Sequence, residues 1–169
     1  SRWVPFEKIR DVKKSVGWAT WLDKVGYNSD GTGVLKAIFG EKIFDTPKPV
    51  SLIEWCISLH DDENAIVIDS FAGSATTAHA VLNLNQLDDG NRQFILIEME
   101  EFSDTITAER VKRVMQGYGE GNNAVEGTGG AFDYYTLGRA LFDEEGNLNE
   151  AVGADKIRAY VWYTETRSA

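Results

Sequence analysis

The sequence predicts an α/β protein built on a parallel sheet, and two stretches carry that prediction. Ile66-Val67-Ile68 is a short β-branched apolar run that ends at Asp69, the pattern of a strand buried on both faces. Phe94-Ile95-Leu96-Ile97 is a second such run, and it too ends in a carboxylate, Glu98. The 29 residues from Asp69 to Glu98 hold one helix and two turns, so a right-handed crossover sets the strands parallel and adjacent. Both carboxylates then stand at one sheet edge, where open α/β sheets build their ligand crevices.

A chain of 169 residues, 43% hydrophobic and 26% charged, has the size and composition of one globular domain with a sizeable core. The single cysteine, Cys56, excludes an internal disulfide framework and fits a reducing, cytoplasmic setting. It falls in an apolar helical pattern and reads as inert core packing. With it, His60 and His79 are too widely spaced to form a metal site, and both histidines read as exposed or capping. No apolar run reaches membrane-spanning length, and there is no secretory leader. Beginning at Ser1 rather than Met, the sequence reads as an excised or processed piece of a longer chain. Its net charge of −10 argues against a DNA-binding surface over the whole chain. Residues 1–14 run the other way, with Arg2, Lys8, Arg10, Lys13 and Lys14 against Glu7 and Asp11. That cluster reads as a solvated basic turn in preference to a phosphate-binding arm.

In chain order, residues 1–33 form an irregular segment that Trp3, Trp18, Trp21 and Tyr27 anchor to a core. Asn28-Ser29-Asp30-Gly31-Thr32-Gly33 is a loop by composition. Val34-Leu35-x-x-Ile38-Phe39, stopped by Gly40, predicts a short helix. Pro47-Lys48-Pro49 fixes an extended turn, with Pro49 at the first position of a helix that carries Leu52, Ile53, Cys56 and Ile57 on one face. Beyond the Asp69 strand, Ala78, Val81, Leu82 and Leu84 give a second helix its apolar face, and residues 86–91 make a polar turn. Ser103, Asp104 and Thr105 offer N-cap oxygens to a helix bearing Ile106, Val111, Val114 and Met115. Residues 117–130 are glycine-rich and expected to be mobile. Residues 132–137 predict a third strand, 143–147 a solvated acidic turn, and 160–164 a last strand.

The chemistry concentrates where the first strand turns into the helix, in Asp69-Ser70-Phe71-Ala72-Gly73-Ser74-Ala75-Thr76-Thr77. Small residues there let a ligand approach the backbone, and free helix amides can hold its polar groups. A nucleotide P-loop requires Gly-Lys-Ser/Thr, and no lysine lies between Ile66 and Leu87. A dinucleotide fingerprint requires three glycines, and Gly73 stands alone. An ordinary strand-to-helix turn and a methyl-donor loop remain.

The motif resembles the Asp-Pro-Phe-x-Gly-Ser-Gly-Thr-Thr loop of amino-DNA methyltransferases. The order of blocks extends the likeness over roughly residues 34–165. Phe39-Gly40, Lys42-x-Phe44-x-x-Pro47-Lys48-Pro49, Phe71-Ala72-Gly73-Ser74-x-Thr76-Thr77, Phe94–Glu98, Glu109–Val114 and Phe132-Asp133-Tyr134-Tyr135-x-Leu137-Gly138 are similar to the modification (Mod) subunit of type III restriction-modification systems and its adenine-specific relatives. The resemblance implies part of a Rossmann-like methyltransferase fold, a three-layer sandwich with a mostly parallel sheet. It assigns 1–33 to the end of a DNA-recognition region and 34–169 to the C-terminal part that binds S-adenosyl-L-methionine. It places Asp69, Phe71, Ala72, Gly73, Ser74, Thr76 and Glu98 around that cofactor, Glu98 on the ribose hydroxyls and Lys48 near the methionine carboxylate.

Two departures qualify the likeness. Ala75 stands where the family usually has glycine, which predicts a restricted turn or weaker cofactor binding. The family's catalytic Pro-Pro-aromatic motif, which grips the flipped target base, is missing, because the only prolines are Pro5, Pro47 and Pro49. In the permuted family order that motif lies upstream, so Ser1 is expected to fall within or just after the recognition region, and the chain alone is expected to be catalytically silent. The implied partners are DNA, through the intact parent, with a second modification subunit and a restriction subunit. The family layout also puts the Asp69 strand at the sheet centre. With the other half missing, that strand becomes an edge, to be covered by a second copy, by residues 1–33 or by 160–164. A non-catalytic cofactor-binding or protein-interaction domain, and a methyltransferase acting on RNA or a small molecule, are the competing readings.

Overall fold

A computed structural model describes residues 25–168 of the chain, and they belong to two compact units, one reaching Ala131 and the other beginning at Phe132. The basic cluster of residues 1–14 and the three tryptophans read from the sequence as anchors lie outside the described residues.

The first unit is a layer of helices on a parallel strand pair. Helix α1 (Asn28–Phe39) starts six residues before the expected point, so the segment 28–33 is helix and not loop. Its glycines mark close packing: a Cβ on Gly31 would lie 2.4 Å from the carbonyl oxygen of Pro47, so only glycine lets the Pro47-Lys48-Pro49 turn rest on the helix. The helix ends as expected at Gly40, which is left-handed and donates its amide to the Lys36 carbonyl at 2.8 Å. Helix α2 (Val50–Ser58) follows with Pro49 as its extended N-cap, one residue before its expected place.

Strand β1 (Ile66–Asp69) leads through the small-residue turn into helix α3 (Thr76–Asp88), buried along its length from Thr76 to Leu82. Strand β2 (Gln93–Leu96) then pairs with β1 in parallel, Val67 opposite Phe94 and Asp69 opposite Leu96. The ladder continues to Ile97, whose amide donates to the Asp69 carbonyl at 2.9 Å. The chain enters helix α4 (Glu109–Gln116) through a 3-10 turn and a wide turn, Glu101–Ser103 and Asp104–Ala108. The cap expected among Ser103, Asp104 and Thr105 does not form, because the first turn is entered from Glu100 with no side-chain cap. Leu35 and Ile38 of α1, Val81 and Leu84 of α3, and Val111 and Val114 of α4 make the core. Residues 117–126, expected to be mobile, form a tight antiparallel pair, β3 (Gly117–Tyr118) with β4 (Val125–Glu126).

The strands are not buried on both faces. Alternation sends Val67, Phe94 and Leu96 to the helix side, where they are half-buried. On the other face Ile66, Ile68 and Ile95 are 59%, 63% and 48% exposed. Among the described residues there is thus one helical layer and a two-stranded parallel sheet, a two-layer part of the expected sandwich. Nor is Cys56 in the core. It is exposed and lines a trough of about 370 Å³ formed by Ile53, Cys56 and Ile57 beside Ala65–Asp69, along the edge of β1 that no other described strand pairs.

In the second unit, residues 132–137 form no strand, which corrects the third strand. The acidic turn is present, closed by Gly146 onto the Asp143 carbonyl at 3.1 Å and by a bridge between Phe142 and Leu148. Residues 160–164 belong to helix α5 (Ala154–Thr166). The alternating aromatics that suggested a strand instead serve this helix, where Tyr160 meets Phe142 edge-on at 5.5 Å. The C-terminal segment therefore supplies no strand to cover the β1 edge.

This division of burial predicts a contrast in stability. Leu35→Ala removes a side chain that is 2% exposed and should destabilise the chain by about 2–5 kcal/mol. Ile68→Thr, on the bare face, should stay within about 0.5 kcal/mol while improving solubility. Urea unfolding of both variants checks the pair.

Candidate functional site

Parallel pairing brings the two carboxylates together. Asp69 closes β1, and its carboxylate is held from its own turn: Oδ1 accepts from the Phe71 amide at 3.1 Å and Oδ2 from the Thr77 hydroxyl at 2.5 Å. Glu98, just past β2, reaches across so that Oε2 accepts from the Gly73 amide at 2.7 Å. Its Oε1 accepts from the amides of Met99 and Glu100 at 2.9 and 3.0 Å. A carboxylate has about four acceptor positions. Three of those on Glu98 are therefore filled by backbone amides, which fixes its orientation.

The turn between them is left-handed twice in three residues, at Gly73 (φ 51°) and Ala75 (φ 62°). At Gly73 this is easy. At Ala75 the methyl group crowds the backbone, and the conformation is held by the Ala75 amide on the Ala72 carbonyl at 2.8 Å and by complete burial. Phe71 projects outward, 84% exposed, beside the two carboxylates. The Pro47-Lys48-Pro49 turn adjoins the start of α3, where the Thr76 hydroxyl donates to the Lys48 carbonyl at 3.4 Å. Lys48 itself is exposed.

Ser74 and Thr76 face inward, and what they face is a residue that sequence reasoning did not single out. Arg110 of α4 is fully buried. Its Nη1 donates to the Ser74 carbonyl (2.9 Å), the Ser74 hydroxyl (3.1 Å) and the Thr76 hydroxyl (3.0 Å). Its Nη2 lies 3.1 Å from His79 Nδ1. Burial lowers its pKa to about 10, so it remains a cation at neutral pH. Three residues earlier, the Thr107 hydroxyl donates to the Gly73 carbonyl at 2.6 Å. The apolar spacing of Ile106, Val111, Val114 and Met115 marks this helix in the sequence, but its pattern gives no sign that Arg110 points inward.

His79 is likewise buried rather than exposed or capping. Burial, reinforced by the Arg110 cation, holds its pKa down at about 3, so the ring is neutral and accepts from Arg110 through Nδ1. Among the described residues no group of acidic, histidine or cysteine side chains is placed to hold a metal ion, and no helix is long and apolar enough to cross a membrane.

A β-strand with a terminal carboxylate, a left-handed small-residue turn, a buried helix and a second carboxylate just past the adjacent parallel strand make an α/β corner with two acidic groups at one sheet edge. A family model described as DNA methylase matches residues 6–109, and the chain belongs to that family. Two curated relatives agree. The Mod subunit of the type III restriction-modification enzyme StyLTI from Salmonella typhimurium is 44% identical over 81 residues, 48% of this chain and 12% of the relative. The type II methyltransferase M.KpnI from Klebsiella pneumoniae is 45% identical over 78 residues, 46% of this chain and 19% of the relative. The chain thus spans between about an eighth and a fifth of the length of these proteins.

Two predictions follow the geometry of the turn. Ala75→Gly relieves a left-handed alanine, worth roughly 1–2 kcal/mol, against a glycine entropy term of about 0.5–1 kcal/mol. A net gain of about 0.5–1 kcal/mol is expected in thermal unfolding, and a loss would show that methyl packing outweighs the backbone strain. The pKa of His79 is lowered on folding, so its contribution to stability is present above its unfolded value of 6.5 and is lost as the pH falls towards 3. Between pH 6.5 and 5, mostly above the carboxylate range, stability should drop by at most about 1.4 kcal/mol per pH unit. His79→Asn, which can still accept from Arg110, should flatten that slope.

Proposed function

We propose that this chain is the cofactor-binding part of a DNA adenine-N6 methyltransferase of the type III modification kind, and that S-adenosyl-L-methionine binds at the corner between Asp69 and Glu98. The observation that carries the proposal is that Asp69 and Glu98 stand at the ends of paired parallel strands on either side of the small-residue turn, with Glu98 accepting from the Gly73 amide at 2.7 Å. The chemistry of the donor set fits the cofactor. Glu98 has one acceptor position left, and it can exchange the Gly73 amide for a second hydroxyl, which suits a ribose diol. The exposed ring of Phe71 suits an adenine face. Lys48, an exposed cation beside the start of α3, suits the methionine carboxylate. Ala72 and Gly73 offer backbone with little side-chain bulk, while Ser74 and Thr76 contribute the shape of the turn from within.

The bound cofactor supplies an electrophilic methyl group on a sulfonium. The residues of this chain bind and orient; none of them is an acid or base in the transfer. Rate enhancement would come from alignment of the methyl group with the incoming adenine amine. The residues that grip the base would come from the rest of the parent protein. The open edge of β1 and the bare isoleucine face are in keeping with a sheet that continues beyond the described residues, and a second copy of this chain is the other candidate to cover them. In the intact protein we propose DNA, a second modification subunit and a restriction subunit as partners.

Isothermal titration of the purified chain with S-adenosylhomocysteine tests the reading. Binding is expected, and Glu98→Ala should weaken it by about 1–3 kcal/mol. No heat and no thermal shift at millimolar ligand, with the chain folded, would remove the cofactor from this corner. Robust methylation of duplex DNA by the chain alone would overturn the assignment of the catalytic residues to the rest of the parent.

A further inference from the structure

The turn between β1 and α3 is gripped at three polar groups of its backbone. Glu98 accepts the Gly73 amide, Thr107 donates to the Gly73 carbonyl, and Arg110 donates to the Ser74 carbonyl. Glu98 belongs to the corner already described. Thr107 and Arg110 do not, and their spacing of three puts both on one side of the same helical stretch. Both are buried, at 5% and 0% exposure, so neither is available to a ligand.

Arg110 is a costly residue to place there. Its guanidinium is a desolvated cation with no carboxylate in ion-pair reach among the described residues, and its Nε finds no hydrogen-bond acceptor among them. An unpaired buried charge is destabilising, and an apolar side chain of similar volume would serve a mere packing role at least as well. What a guanidinium adds is a rigid fork of donors. Here that fork spans the Ser74 carbonyl, the hydroxyls of Ser74 and Thr76, and the imidazole of His79. These are the acceptors that fix the passage through left-handed Ala75.

We infer that Thr107 and Arg110 are positioning residues that clamp the Gly73–Thr76 turn in its ligand-receiving shape. This rests on the cofactor reading given above, and extends it from the residues that face the cofactor to those that set their geometry. Thr107 holds Gly73 from its carbonyl side while Glu98 holds its amide. The two peptide planes that flank Gly73 are therefore each held by one bond, and neither can rotate without breaking it. Arg110 locks the next carbonyl, so the two left-handed residues are set independently of the ligand. Binding then meets a preformed turn rather than one that must be ordered.

The test uses the 169-residue chain with three variants: Thr107→Val, isosteric without the hydroxyl; Arg110→Lys, charged but with no fork; and Arg110→Met, apolar and of similar length. Three quantities are measured on each: the melting temperature, amide hydrogen exchange at residues 72–77, and the dissociation constant for S-adenosylhomocysteine. Thr107→Val should keep a near wild-type melting temperature, speed exchange across the turn several-fold, and weaken binding about three- to tenfold. Arg110→Lys should weaken binding at least tenfold. Arg110→Met leaves the Ser74 carbonyl, the Ser74 and Thr76 hydroxyls and His79 Nδ1 without their donor, so it should lower both melting temperature and affinity. Arg110→Lys, by contrast, should lose affinity out of proportion to its smaller loss in melting temperature, a split that a purely structural role does not produce. Should either Arg110 variant fail to fold, Thr107→Val carries the decision alone. Unchanged exchange at residues 72–77 in folded variants overturns the clamp, as does unchanged affinity. If the wild-type chain binds no ligand, the cofactor reading fails separately, and the exchange data still decide whether the turn is clamped.

Discussion

A buried guanidinium behind a strained turn is the interaction on which the rest of this structure depends. The turn from β1 to α3 must reverse the chain within a few residues, and it does so with Gly73 and Ala75 both left-handed. Such a turn exposes carbonyls that no helix or sheet ladder satisfies. Arg110 and Thr107 reach them from α4 and the turn before it, so the helix that follows the second strand completes the loop that follows the first. Packing carries the same link: α3 lies against α2 and α4, and α4 against α1. The helical layer, the turn and the carboxylate corner are therefore one mechanical unit.

The other side of the sheet differs. Ile66, Ile68 and Ile95 present an apolar surface, and β1 has an edge that no other described strand pairs, along which Cys56 and its neighbours form a trough. Parallel sheets are normally covered on both faces, because a bare face of isoleucine is a large exposed apolar surface and an open edge is a template for further strands. The two carboxylates thus stand at the end of a strand pair that, among the described residues, has no further neighbour.

Much of this was legible in the sequence, because the central pieces have local causes. The two apolar runs, their terminal carboxylates and the crossover between them set the β1–α3–β2 unit, and the glycine stop of α1 was visible at Gly40. The misreadings share a physical origin. Asn28–Gly33 looked like a loop because glycine marks turns, whereas Gly31 is required for close approach of another segment's backbone. Residues 160–164 are rich in strand-favouring aromatics yet stand in a helix, where Tyr160 packs against Phe142. His79 and Arg110 were invisible as a pair. They are 31 residues apart, and only tertiary packing decides that a cation near neutral pH should be buried at all.

The three amides that hold Glu98 also bear on selectivity. A site built to hydrogen-bond a hydroxyl ordinarily rejects an analogue lacking it, since a buried group is left orphaned. Here the Gly73 amide stands ready to reclaim the oxygen that a missing hydroxyl would vacate. A deoxynucleoside analogue would leave no naked acceptor behind, and its exclusion would forfeit little more than one exchanged bond. On the proposed reading, discrimination among nucleosides at this corner falls to the base and to the charged tail, and the sugar becomes its least demanding part.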